Sequence, residues 1–222
     1  MGVSLLGSAE GRLLAVGLAL TGLLLLALGT GWQLFPDTIL TYAAMTGLNL
    51  VIGRAAGMSF GYASGLGHAQ VVPLDMLVET IQVLVVYPLF ALSWRQLIRW
   101  PRLQPMLLRM HRAAASGGGA VRPFGIVGLF VFVFVPFWMT GPVVGAVIGF
   151  LIGLRPWLNL VVVLSATYVA IGVWGLLLNE LSDWAATVNR FAPFALVIAI
   201  VLIVVALQWV MRRRERGSGT GG

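Results

Sequence analysis

Six apolar runs, at 13–35, 38–53, 73–94, 124–154, 157–178 and 193–210, follow one another with short polar breaks and leave the chain few ways to fold in water. About 20 apolar residues in helical form cross the roughly 30 Å of hydrocarbon in a bilayer. Charged residues make up 9% of the 222 residues, against roughly 25% in soluble domains. The pattern implies an all-α integral membrane protein, with a single polytopic domain over 1–211 and a basic, flexible cytoplasmic tail over 212–222.

The runs are unequal. The 38–53 run is marginal for a full crossing, and the 124–154 run is too long for one ordinary span and is interrupted by Pro136, Gly141 and Pro142. Arginine placement chooses between topologies, because cytoplasmic loops collect Arg and Lys. If 38–53 crossed fully and 124–154 crossed once, the basic stretch Arg95 to Arg112 would fall opposite Arg12 and the Arg212 to Arg214 tail. If both runs dip in and return from opposite sides, every strong basic cluster lies in the cytoplasm with both termini. The expectation is therefore about four full transmembrane helices plus two opposed re-entrant helical hairpins, at about 38–53 and 124–154, in an inner (plasma) membrane. Each short element precedes a longer span, as in inverted repeats, but residue identity does not establish a repeat.

Residues 95–112 alternate Arg with Leu, Ile, Trp and Met, the pattern of a basic helix lying in the membrane interface. Arg95, Arg99, Arg102 and Arg155 are candidates for anionic headgroup contact. Residues 54–72 read as a Gly-rich loop over the outer mouth. The net charge of +7 and pI near 11.3 do not imply nucleic acid, because the arginines flank apolar runs rather than decorate polar elements.

Asp75, Glu79 and Gln82 share one face of a helix that begins at Pro73, with Glu79 roughly 9 Å inside it. An acid facing lipid costs a few kcal/mol, and acids at such depth usually mark ion, proton or substrate paths. Arg54 is placed to pair with either acid or to hold an anion. The alternative is that the acids are interfacial and Arg54 snorkels.

No cysteine is present, which removes disulfides and thiolate chemistry. Two distant histidines give little for a metal. Ser64 and His68 invite a protease reading, but lie too close in sequence to come from different spans. No cofactor, metal or catalytic residue is expected.

The stretch Val135-Pro136-Phe137-Trp138-Met139-Thr140-Gly141-Pro142-Val143-Val144-Gly145-Ala146, closing on Gly153-Leu154, resembles the signature of the small multidrug export proteins. The resemblance covers roughly 125–180, with Trp138 and Met139 departing from the family pattern. It carries over Pro136, Thr140, Gly141, Gly145, Ala146, Gly153 and Leu154. That family is distantly similar to the DedA group, which implies opposed re-entrant loops and lipid translocation. Pro136, Gly141, Pro142, Gly145, Gly149 and Gly153 are expected to shape the second hairpin, Gly145 and Gly149 by admitting the opposing one. Thr140, at its tip, joins Asp75, Glu79, Gln82 and Arg54 on a substrate or proton path. The resulting expectation is a transporter or lipid translocator, not an enzyme, that moves a small amphipathic or lipid-like substrate among membrane lipids. A homo-oligomer is compatible with it, and the alternative is a non-transporting scaffold or assembly factor.

Overall fold

The computed structural model describes residues 8–97, 118–134, 141–188, 198 and 202. Among them are seven helices and no strand: α1 Ala9–Leu34, α2 Pro36–Val51, α3 Arg54–Ala63, α4 His68–Leu97, α5 Gly118–Phe134, α6 Gly141–Leu151 and α7 Pro156–Val188. The run at 193–210 and the tail lie outside the described residues, apart from two isolated positions. Of the proposed interfacial helix, 95–97 simply continue α4 and 98–112 lie outside.

Local chemistry sets the breaks. Ser8 caps α1 by accepting the Gly11 N–H at 3.0 Å. Phe35 precedes Pro36, a position pushed away from helical geometry, while Pro36 itself suits a first turn and starts α2. Three helices are long and apolar enough to cross a membrane: Ala9–Leu34, His68–Trp94 and Pro156–Ser182. α1 leaves Leu23, Leu25 and Leu26 exposed, as an apolar solvent would require.

Two expectations shift. The 54–72 segment is not a loop: it holds α3 and the first turn of α4, and only the turn at 64–67 separates them. α4 starts at His68 and carries Pro73 within it, so Glu79 lies about 16 Å along the helix rather than 9 Å. Likewise α2 runs unbroken through most of 38–53. The reversal is at Ile52 and Gly53, whose φ of 120° favours glycine, and α3 is the returning arm.

α2 and α3 form an antiparallel hairpin, because a Cβ at Gly57 would touch Met45 O and Asn49 while one at Gly61 would touch Met45 Sδ. α5 and α6 form a second, since Gly125 faces Ile152 and Gly145 faces Val133. The two occupy opposite halves of α4. Tyr62 meets His68 near its start, and Phe150 packs on Tyr87, Phe90 and Trp94 near its end.

The hairpins repeat one another. Gly53, Gly57, Gly61 and Gly65 recur as Gly141, Gly145, Gly149 and Gly153 at one fixed shift in sequence. The contacts recur at the same shift: Gly57 meets Met45 as Gly145 meets Val133, and Gly61 meets Val71 as Gly149 meets Asn159. So do the turns. Gly65 (φ 84°) and Gly153 (φ 78°) close the same motif, with Gly65 N–H to Tyr62 O and Leu66 N–H to Gly61 O matched by Gly153 to Phe150 O and Leu154 to Gly149 O. α4 and α7 run antiparallel, His68 level with Gly175 and Thr80 with Tyr168. Thr80 and Tyr168 are related by that shift and bond to each other at 2.7 Å, as residues beside a two-fold axis must. The chain contains an inverted repeat of hairpin plus long helix.

Candidate functional site

The start of α3 meets the end of α5 and the start of α6 at Arg54. As first residue of α3 it is 4% exposed, and its Nη2 donates to Val133 O at 2.8 Å. That carbonyl belongs to the last turn of α5, where helix carbonyls lack internal partners and attract positive charge. A Cβ at Gly141, the first residue of α6, would lie 3.3 Å from the same nitrogen. The other terminal nitrogen, Nη1, is buried with no hydrogen-bond partner.

Asp75 and Glu79 face this seam from α4, 0% and 4% exposed. They lie between two apolar clusters, one holding Met45, Met58, Tyr62 and Val71, the other Val83, Tyr87 and Val133. Asp75 Oδ1 accepts from Asn49 Nδ2 at 2.5 Å, and Gln82 Nε2 donates to Asn49 Oδ1 at 3.0 Å. One amide on α2 thus ties both ends of the α4 face. Asp75 Oδ2 is buried without a partner. The Arg54 charge acts on both carboxylates, although its hydrogen bond goes to a carbonyl and not to either acid.

Asp75, Glu79, Gln82 and Arg54 are therefore brought together. Thr140 and Pro136 lie outside the described residues, as do Arg99, Arg102 and the Arg95 side chain. Arg155 is exposed ahead of Pro156, away from the seam. Gly141 reaches the opposing hairpin through Arg54, and Pro142 is buried beside it. Gly145 and Gly149 do not: they admit Val133 of their own hairpin and Asn159 of α7. Asn159 Nδ2 donates to Ala146 O at 2.7 Å, fastening α6 to α7. Gly153 makes the turn into α7.

Sequence reading missed Asn49 and Asn159, although an amide within an apolar run is a signal in itself. It also assigned His68 no partner, having set Ser64 aside. His68 Nδ1 shares a hydrogen bond with Tyr62 Oη at 2.9 Å, the rings stacked at 11°, and not with Ser64. Among the described residues no cluster of three or more metal-ligating side chains occurs.

Three membrane-length apolar helices around buried ionisable groups define a polytopic membrane protein, and the arrangement fits a membrane transporter. Residues 54–173 match the family model described as "Putative small multi-drug export protein". The match spans more than half of the chain, and the chain belongs to that family. It reaches well beyond the 125–180 resemblance and includes the first hairpin's returning arm and Arg54. Comparison with curated proteins and with solved structures finds no match.

Proposed function

We propose that the protein is an inner-membrane transporter that moves a small amphipathic or lipid-like substrate through a path between the hairpin tips, coupled to protons at Asp75 and Glu79. The observation that carries this reading is the seam itself: two carboxylates and one guanidinium buried where the opposed hairpins touch, with Arg54 Nη1 and Asp75 Oδ2 left without partners. Buried polar groups are nearly always satisfied, and exceptions call for a functional reason. Two acids and one arginine carry one negative charge in excess when ionised, which a proton or a single cationic group would neutralise.

Helix length supports the re-entrant placement. α3 and α6, with 10 and 11 residues, extend about 15 and 16 Å, half of a roughly 30 Å hydrocarbon layer. With both termini cytoplasmic, the first hairpin enters from outside and the second from inside, as in the DedA-like architecture and lipid translocation that the sequence resemblance implies. The scaffold alternative loses support, because the Gly145 and Gly149 faces it would offer to partners are filled by Val133 and Asn159 of this chain.

The test is movement of a fluorescent anionic lipid and of a lipophilic cation in proteoliposomes, with and without a pH gradient. The expected result is that one probe moves, that Glu79→Gln removes the dependence on the gradient, and that Arg54→Met stops the movement. Failure of the unmodified protein to move either probe would overturn the reading.

A further inference from the structure

The pair Tyr62 and His68 has no part in the seam, and the repeat shows what it replaces. At the shift relating the glycine ladders, Tyr62, His68, Asp75 and Glu79 correspond to Phe150, Pro156, Val163 and Thr167. The first half therefore carries a line of protonatable groups where the second carries none. Exposure falls along that line: His68 is half-buried at the start of α4, Tyr62 is 7% exposed and Asp75 0%. Val71, packed in one cluster with Tyr62, is a single turn before Asp75. Gly175 of α7 closes over the pair, since a Cβ there would lie 3.2 Å from both His68 Cε1 and Tyr62 Oη. In the other half Phe150 is boxed by Tyr87, Phe90 and Trp94, ring centroids 5.7 to 6.3 Å away.

We infer that His68 and Tyr62 are the proton entrance to Asp75 and Glu79, and that the Phe150 aromatic box closes the opposite end. This rests on the proton-coupled reading above and adds the route and the side from which protons arrive. The His68 imidazolium gives its Nδ1 proton to Tyr62 Oη while the phenol's own proton passes, through water, toward the Asp75 carboxylate. The imidazole keeps its Nε2 proton and is recharged from solvent after tautomeric exchange. No phenoxide forms, because the phenol gains one proton as it gives up another. One positive charge moves inward and neutralises one carboxylate.

Each helix packed around this line carries few charged or titratable groups. α3 brings Arg54, α4 brings Glu79, and α2 brings Tyr42, bonded to Gln70. α7 brings Tyr168, bonded to Thr80 beside Glu79, then Gly175 and, beyond it, the exposed Glu180. α6 has no titratable residue, and Glu10 and Arg12 of α1 lie by the far half of α4. None interrupts the line.

The test is rapid-mixing infrared spectroscopy on the full chain in lipid nanodiscs after a jump from alkaline to acidic pH. The protonated-carboxyl band is followed, with Asp75→Asn and Glu79→Gln as assignments. The expected result is that Tyr62→Phe and His68→Ala slow the band's appearance at least about tenfold with unchanged final amplitude, and that added imidazole restores the rate in His68→Ala but not in Tyr62→Phe. Unchanged rates in both variants, or slowing in His68→Ala that imidazole does not relieve, would overturn the entrance. Because no substrate is involved, this outcome is separate from that of the transport assay: normal proton kinetics in the variants of an active transporter would leave transport standing and remove only the route.

Discussion

Asn49 is the residue whose loss should be felt most widely outside the charged trio, because its amide serves Asp75 with one end and Gln82 with the other. Asn49→Leu strands both partners, and a cost of about 1–3 kcal/mol is expected. A thermal melt of the purified protein that does not move would contradict it. Asn159 supplies a second residue-scale case. A Cβ at Gly149 would come within 2.0 Å of Asn159 Oδ1, so Gly149→Ala must eject that amide from Ala146 O at a cost of about 1–3 kcal/mol. In Gly149→Ala combined with Asn159→Ala the melts should show less than the sum of the two losses; strict additivity would place the strain elsewhere. Of this chemistry the sequence announced the acids, because charge within an apolar run is conspicuous. It concealed Arg54's partner, because Val133 contributes a main-chain carbonyl and no side-chain pattern encodes that.

Among the elements, α1 and α4 depend on Gly17. Pro88 lacks the N–H that would have bonded Leu84 O, four residues earlier, and Gly17 rests against that carbonyl group, where a Cβ would lie 2.9 Å from both Leu84 C and O. Gly17→Ala meets backbone and not a flexible side chain, so α1 must move off α4. A loss of about 1–3 kcal/mol is expected, with increased protease sensitivity of α1 as the readout, while Gly22→Ala, open on all sides, should be silent. Helical class and the short arms were legible from apolar run lengths. Boundaries were not: 54–72 is rich in Gly, which lowers helix propensity in isolation, yet Gly57 and Gly61 sit where α3 closes on Met45, Asn49 and Val71, and packing outweighs propensity there. Pro73 suggested a helix start, but it falls in the second turn of α4, where it removes only the N–H that would have bonded Ala69 O.

For the whole molecule, the inverted repeat predicts which loops share a side. Gly67 and Arg155 are both exposed and are counterparts at the repeat shift, so they should face opposite compartments. The chain has no cysteine, so Gly67→Cys and Arg155→Cys can be labelled singly. A membrane-impermeant maleimide added to intact cells should reach the first and not the second; labelling of both would break the inverted arrangement. The repeat was present in the sequence as two ladders of four glycines at four-residue spacing. It went unread because side-chain identity elsewhere has diverged, while glycine stands in both ladders where a neighbour comes too close for a Cβ, at Gly57, Gly61, Gly145 and Gly149, and where φ is positive, at Gly65 and Gly153.

That divergence has a consequence for direction. The two halves share a backbone frame, so the frame alone cannot distinguish one face of the membrane from the other. The halves differ in side chains at matched positions: Tyr62, His68, Asp75 and Glu79 in one stand where Phe150, Pro156, Val163 and Thr167 stand in the other. On the proposed proton route, exchanging those two sets should carry the proton line to the opposite face while the shared frame keeps its shape.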